Sequence, residues 1–298
     1  MKRLICAVLC TTLCFGMLAG CSNETSGDAG TESRREESAK ESDTENTSAS
    51  TKQQIELDKE KLVIGVLKKA EPFSFEEDGE WKGYDIDIWK EFEKRTGIPV
   101  EWYQYDSAEI LTEDLMVLTS FFGVGMIDVL AVEGPSSLNG TDFLVTEPVS
   151  YSGLTLAVDS NNESVQSISD VSGGLNIGIE SSLYSMEESV KAANSGLEIL
   201  GSFTNFAPDI LAANSAGVLP NVLPLALLDI EGWYAMKKDE GLNIRLLEPF
   251  GYVDGCYCVT DEKVQNAANT FIQSIKEDGT LKKISEKWFG ADVSAERQ

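Results

Sequence analysis

The chain has 298 residues, a formal net charge of −26 at pH 7, six cysteines and no histidine. Without histidine, Ser-His-Asp and Cys-His catalysis are excluded, and a zinc site would lack its commonest ligand. A strongly acidic chain is also a poor partner for nucleic acid and for anionic lipid head groups. These features argue against an enzyme, and we expect no cofactor and no metal.

The first residues are typical of an export signal. Lys2 and Arg3 precede an apolar run, residues 4–18, that is too short to span a bilayer as a permanent helix. The run ends in Leu-Ala-Gly-Cys, a pattern that resembles a lipoprotein signal peptide of residues 1–20 and implies that Cys21 becomes the diacylated first residue of the mature protein. The alternative is an ordinary secretory signal, in which Cys21 is only a thiol.

The next segment is rich in Ser, Thr, Glu, Asp, Asn and Lys and nearly free of apolar residues. Such a stretch cannot bury enough surface to offset the entropy lost on ordering. We therefore expect residues 21–58 to form a lipid anchor and a disordered tether, which would hold the folded part at the extracellular face of the cell membrane.

A regular alternation of elements begins at residue 61. Six consecutive apolar residues, 62–67, predict a strand buried on both faces. A hairpin is predicted around Asp78-Gly79, and Gly97 marks the end of a helix. The other elements of this series are helices 85–96 and 107–121 and strands 98–103 and 127–132.

A second series with the same rhythm follows, and each series is long enough for its own small core. The predicted strands are 154–158, 176–179, 197–203, 222–228 and 243–247, and the predicted helices are 186–194, 207–214 and 230–238. The alternation indicates an α/β protein with two lobes.

Cys256 and Cys258 are the two cysteines that lie outside the signal and the anchor. They fall on a predicted strand with one residue between them, so their side chains share a face. Buried thiols that pack as small hydrophobic groups are the main interpretation, and a strained local disulfide or a metal pair is the alternative.

Three segments resemble the bacterial extracellular solute-binding proteins, family 3. Residues 83–88, Gly-Tyr-Asp-Ile-Asp-Ile, are similar to a signature at the start of the first helix, where Asp85 could act as the cap. Pro72-Phe73 is similar to a motif after the first strand, and residues 278–290, which end in Lys-Trp-Phe-Gly, resemble the closing segment. The resemblance covers roughly residues 61–290.

The resemblance implies a two-lobed periplasmic-binding-protein-like fold of type II, with each lobe a mostly parallel sheet flanked by helices. Lobe 1 would be residues 59–153 with 254–298, lobe 2 would be 159–248, and hinge strands 154–158 and 249–253 would join them. A solute would bind in the cleft beyond the carboxyl ends of the strands and be trapped by hinge closure.

Members of the family usually carry an arginine after the third strand, which grips the carboxylate of the solute. Residues 132–140 contain no basic residue at all. Glu133, together with Ser136 and Ser137, points instead to a cationic or polyhydroxyl ligand.

Three candidates follow the first strand. Lys68 and Lys69 could bind an anionic solute, although exposed loop lysines are also common. Phe73 could supply a stacking surface, and packing in the core is the alternative.

In the second series, Ser181 and Ser182 loosely match a solute-binding turn of the family. Ser185 with Glu188 can also be interpreted as a capping box for the following helix.

The acidic residue that would pair with the amino group of the solute falls at Leu228 or Asp229, depending on a shift of one residue. Asp229 could equally cap the helix that follows.

Together these features predict a monomeric, lipid-anchored solute-binding protein without catalytic residues. It would deliver a small polar solute, amino-acid-like or amine-like, to the membrane permease of an ABC importer. The alternative is a degenerate binding module that acts as an extracellular sensor or interaction protein without transport. An enzyme would need carboxylates alone for its acid-base chemistry.

Overall fold

The computed structural model describes residues 55–105, 126–140, 144–178, 186–202 and 206–297. The chain divides into residues 1–50 and 51–298, and every described residue belongs to the second unit. The export signal, Cys21 and the predicted helix 107–121 lie outside the described residues. Among the described helices, none is long and apolar enough to cross a membrane.

The elements alternate much as the sequence predicts. The first part contains β1 (Leu62–Leu67), β2 (Lys69–Ala70), β3 (Ser74–Glu77), β4 (Glu80–Lys82), α1 (Tyr84–Thr96), β5 (Val100–Tyr105), β6 (Val129–Gly134), a 3₁₀ turn (Ser136–Leu138) and β7 (Leu144–Val145). The middle part contains β8 (Ser150–Asp159), a 3₁₀ turn (Ile168–Asp170), β9 (Gly174–Ile177), α2 (Met186–Ala193), β10 (Glu198–Ser202), α3 (Ala207–Ser215), β11 (Leu225–Leu228), α4 (Asp229–Lys238) and β12 (Ile244–Leu246). The last part contains β13 (Gly251–Val259), α5 (Glu262–Glu277) and α6 (Thr280–Phe289).

The predicted hairpin is confirmed as β3 and β4. The turn residues Asp78 and Gly79 have φ values of 55° and 79°, and positive φ at both central residues matches the twist of the flanking strands.

Helix α1 lies close to its predicted bounds but begins differently from the expectation. Gly97, at φ 74°, ends the helix as predicted. At the other end the cap position is Gly83, with no side-chain cap. Asp85 is the second residue of the helix, is fully buried, and accepts a hydrogen bond of 2.7 Å from the Tyr257 hydroxyl. The expected capping role of Asp85 is therefore wrong, because its carboxyl group points into the core.

In the described part of the chain, two groups of parallel strands are joined by two long antiparallel strands. The first group is β5-β1-β6 and the second is β10-β9-β11. Between them, β8 and β13 pair with each other over five residues, while β13 pairs with β6 and β8 pairs with β11. We call β8 and β13 the connecting strands. This arrangement confirms the two-lobed α/β fold class.

Aromatic packing fixes α1 and α5 over the first group of strands. Trp89 is fully buried, and its ring centroid lies 5.5 Å from those of Phe92 and Tyr257 and 6.2 Å from that of Phe271. Truncating such a side chain typically costs about 3–5 kcal/mol. These contacts pack α1 and α5 together and against Tyr257 of β13, which pairs with β6.

Candidate functional site

Several predicted site residues lie at or just beyond the carboxyl ends of strands. Lys68 follows β1, Glu133 is the second-to-last residue of β6, and Asp229 directly follows β11. In open α/β sheets this is where ligands bind. Ser181 and Ser182, which would follow β9, lie outside the described residues.

Lys68 and Lys69 differ in their surroundings. The Lys68 Nζ lies 2.8 Å from Glu76 Oε2, and both side chains are about one-third exposed. A surface pair of this kind contributes about 0–1 kcal/mol, but it neutralises the charge that an anionic solute would need. Lys69 is exposed on β2.

Phe73 packs against aromatic rings from two segments that are distant in the sequence. Its ring centroid lies 6.2 Å from that of Phe289 in α6 and 6.1 Å from that of Phe206, which precedes α3. Phe73 is 8% exposed, so most of its surface is already covered by protein. Its role as a stacking surface for a solute stays a prediction.

Glu133 is buried and takes part in a network of polar side chains. Its Oε2 accepts a hydrogen bond from the Ser150 hydroxyl on β8, and its carboxyl group lies near that of Asp85. Two buried carboxyl groups that lie close together do not both ionise readily, because their like charges repel each other. Burial raises the pKa of Glu133 to about 7, and burial together with the nearby Glu133 raises the pKa of Asp85. Both shifts favour retention of a proton by the pair as the pH approaches neutrality.

Ser136 and Ser137 are exposed in the 3₁₀ turn that follows β6. The Ser136 backbone N–H donates a hydrogen bond of 2.9 Å to Asp254 Oδ1 on β13. The turn is thereby fixed to a connecting strand, and both serines are exposed.

Asp229 is buried and also contacts a connecting strand. It is 3% exposed, and its Oδ1 accepts a hydrogen bond of 2.9 Å from the Gly153 N–H on β8. Its Oδ2 lies 2.7 Å from Arg297 Nη1. Burial raises the pKa of Asp229, and the contacts with Gly153 and Arg297 oppose that rise. The side chain is not the N-cap of α4, a position that Leu228 occupies.

Sequence reasoning missed a second buried acid on α4. Glu231 is 1% exposed, and its Oε1 accepts a hydrogen bond of 3.3 Å from the Ala207 N–H at the start of α3. Its Oε2 has no hydrogen-bond partner within the described residues. Burial raises the pKa of Glu231 to about 7.

Helix α4 also contacts α6 and the segment between β2 and β3. Lys238 of α4 forms an ion pair with Glu71, and the ring centroids of Tyr234 and Trp288 are 6.4 Å apart. The Lys237 ammonium group lies 2.5 Å from the Lys287 carbonyl oxygen near the end of α6, where a positive charge is favourable.

The model of the bacterial extracellular solute-binding proteins, family 3, matches residues 62–291, which includes both groups of strands and the connecting strands. The chain belongs to this family.

Relatives of this solute-binding protein are named for amino-acid transport. The putative amino-acid ABC transporter-binding protein PatH of Vibrio harveyi is 26% identical over 253 residues, which cover 78% of this chain and 89% of the relative. The L-cystine-binding protein TcyA of Bacillus subtilis is 25% identical over 243 residues and covers 78% of this chain and 82% of the relative.

Solved structures support the solute-binding-protein fold. A putative L-cystine ABC transporter from Listeria monocytogenes matches with a TM-score of 0.59 and 22% identity, over 80% of this chain and 99% of the other. The unliganded L-cystine solute receptor of Neisseria gonorrhoeae matches with a TM-score of 0.56 and 21% identity, over 79% of this chain and 95% of the other.

The cysteines of β13 in this solute-binding protein are free and fully buried. Burial raises the pKa of both thiols, that of Cys258 to about 12, so neither is a reactive thiolate at neutral pH. The described residues contain no cluster of three or more potential metal ligands among Cys, Asp and Glu.

Proposed function

We propose that this solute-binding protein captures a small polar solute with a cationic group, amino-acid-like or amine-like, and delivers it to the permease of an ABC importer. The observation that carries the proposal is Asp229, a buried carboxylate that follows β11 and bonds to a connecting strand. A carboxylate held in this way attracts an ammonium or guanidinium group more strongly than an exposed one does, because water screens it less.

The chemistry of the first part of the chain supports the same class of solute. Residues 132–140 carry no arginine or lysine, and Lys68 is paired with Glu76. A carboxylate on the solute would meet no basic residue in 132–140, whereas a cationic group would meet Asp229. The names of PatH and TcyA, an amino-acid-binding and a cystine-binding protein, are consistent with a solute that has an amino group.

The proposal includes the lobes and hinge predicted from the sequence. Lobe 1 is residues 59–153 with 254–298, lobe 2 is 159–248, and segments 154–158 and 249–253 are the hinge. Support comes from the connecting strands, since β13 pairs with β6 of the first group, β8 pairs with β11 of the second, and β8 and β13 pair with each other. Bending within these two strands would let the lobes open and close.

The lipid anchor is proposed on the sequence pattern around Cys21. The lipidated protein would be a monomer at the extracellular face of the cell membrane. Mass spectrometry of the native protein tests this part, since a lipoprotein begins at Cys21 and carries fatty acids there. A native protein that begins elsewhere, or has a free Cys21, would contradict the anchor.

Solute binding is tested by thermal shift and calorimetry with the purified protein against amino acids, amines, small peptides and sugars. We expect stabilisation by a solute with an ammonium or guanidinium group, and a loss of affinity of at least about tenfold in Asp229→Asn, because removing one partner of a buried charge pair costs about 2–5 kcal/mol. Glu240→Gln, on an exposed residue, is the matched control. If only sugars bind, or if Asp229→Asn binds as well as wild type, the proposed solute class is wrong.

The second candidate is a sensor or interaction module without transport, favoured by the absence of a basic residue in 132–140. The two candidates differ in uptake rather than in binding. Deletion of the protein should abolish cellular uptake of the bound solute if it serves an importer and leave uptake unchanged if it is a sensor.

A further inference from the structure

The segment after α6 returns to the connecting strand β8. Val293 is fully buried, and its carbonyl oxygen accepts a hydrogen bond of 2.8 Å from the Tyr151 N–H. Asp292 Oδ1 accepts hydrogen bonds from the N–H and the hydroxyl of Ser294, at 3.0 and 2.6 Å. Val293 is therefore anchored to β8, and Arg297 follows it by only a few residues.

The guanidinium group of Arg297 lies among one carboxylate and two aromatic rings. Its Nη1 is 2.7 Å from Asp229 Oδ2, and its central carbon is 5.0 Å from the ring centroid of Trp233 and 5.5 Å from that of Tyr252. Both ring distances are within the range of a cation–π interaction. The planar guanidinium group thus contacts one carboxylate and two aromatic rings.

This arrangement is built by regular elements. Trp233 lies four residues after Asp229 on α4, so the two side chains share a face of the helix. Tyr252 pairs directly with Gly153 across the connecting strands, and the Gly153 N–H bonds to the other oxygen of Asp229. The cation site therefore lies where α4 meets both connecting strands.

We propose that Arg297 is an internal occupant of a cation site formed by Asp229, Trp233 and Tyr252, and that an external guanidinium or ammonium group binds there only after Arg297 leaves. This inference rests on the proposed function in one respect, the use of Asp229 as a solute contact. Asp229 Oδ1 already accepts a hydrogen bond from Gly153 and Oδ2 forms an ion pair with Arg297, so a second cation would compete with Arg297 for the carboxylate. The Arg297 side chain is 25% exposed, which leaves it a route into solvent.

The size of the effect follows from the fraction of molecules in which Arg297 is displaced. An apparent dissociation constant rises in inverse proportion to the fraction of protein in the binding-competent state. If Arg297 fills the site in about nine molecules of ten, removing its side chain should strengthen cation binding by about tenfold.

The test uses the purified protein and methylguanidinium chloride as the probe. The indole N–H signal of Trp233 in a two-dimensional NMR spectrum, assigned with Trp233→Phe, reports on the site directly. We expect this signal to titrate in Arg297→Ala at about one-tenth of the probe concentration that wild type needs. Arg297→Gln should behave like Arg297→Ala, which guards against a folding defect in one variant.

Two controls separate the cation site from a general change of charge. Lys283→Ala removes one positive charge from an exposed position on α6 and should titrate like wild type. The double variant Asp229→Asn with Arg297→Ala should lose the response. Equal midpoints for wild type and Arg297→Ala, or an unchanged response in the double variant, would overturn the inference. Failure of the solute panel would contradict the proposed function and leave the methylguanidinium result standing.

Discussion

The buried pair of Asp85 and Glu133 predicts that this protein loses stability as the pH rises toward neutrality. The pKa of Glu133 is raised from 4.5 to about 7 in the folded protein. Between these values the folded protein keeps a proton that the unfolded chain has released, so the free energy of unfolding falls as the pH rises. Above about pH 7 the folded protein releases the Glu133 proton as well, and the contribution of this residue to the pH dependence ends.

The substitution Glu133→Gln tests this reasoning, because an amide can donate to Asp85 and accept from Ser150 without ionising. A pKa difference of about 2.5 at 1.36 kcal/mol for each unit gives an upper limit of about 3 kcal/mol. We expect Glu133→Gln to resemble wild type near pH 5 and to exceed it by about 1–3 kcal/mol at pH 8. Urea unfolding followed by circular dichroism between pH 5 and 8 measures both free energies.

Glu163→Gln, on an exposed residue, is the control for loss of one negative charge and should follow the wild-type pH profile. Asp85→Asn provides a second test and should also flatten the pH dependence, since it removes the other member of the pair. Parallel profiles for wild type and Glu133→Gln would refute the shared proton.

The other predictions concern packing at Gly255, the reactivity of the β13 thiols and the ion pair between Glu71 and Lys238. Gly255→Ala should lower the free energy of unfolding by about 1–3 kcal/mol in urea unfolding, because a Cβ there would overlap the buried carboxylate of Glu133. Gly251→Ala should cost less, because its Cβ would lie 3.4 Å from Leu154 Cδ1, an ordinary van der Waals distance. The cysteines of β13 should resist alkylation in the folded protein and react after unfolding, because burial raises the pKa of Cys258 to about 12. Mass spectrometry of the alkylated peptides measures this, and rapid labelling of the folded protein would contradict it. A double-mutant cycle on Glu71 and Lys238 should give a coupling of about 0–1 kcal/mol that shrinks in high salt, and a larger, salt-independent value would be inconsistent with a partly exposed pair.

Local sequence signals predicted local structure well. Asp78-Gly79 defines a hairpin, and Gly97 ends a helix, because in both places the backbone requires positive φ. Strand bounds were less accurate. The strand predicted at 98–103 is observed at Val100–Tyr105, since Pro99 has no N–H and pairing with β1 begins one residue later.

The connecting strands show why pairing cannot be inferred from a short apolar run. The strand predicted at 154–158 is β8, Ser150–Asp159, which extends in both directions. Its extra residues are small, polar or aromatic, and they are held by partners distant in sequence. Residues 251–255 of β13 supply part of that pairing.

The site was less predictable than the fold, because its contacts join residues that are far apart in the sequence. Asp229 was a candidate from its position after a predicted strand, yet no local pattern connects it with Arg297, which lies 68 residues later. Glu133 was expected on the cleft from its position after a strand. Its pairing with Asp85 depends on β6 lying beside α1 and β13, which is a tertiary fact.

The buried side chains of Glu133 and Asp229 each pack against a glycine on a connecting strand. A Cβ at Gly255 of β13 would overlap the carboxyl group of Glu133, and a Cβ at Gly153 of β8 would lie 2.7 Å from Asp229 Oδ2. Each strand thus has a glycine where an acidic side chain packs directly on the backbone. Bending of either strand would change the distance between its backbone and that carboxyl group. Gly153 is one residue from the proposed hinge segment 154–158, and Gly255 is two residues from the proposed hinge segment 249–253, so both acidic side chains pack beside the proposed hinge.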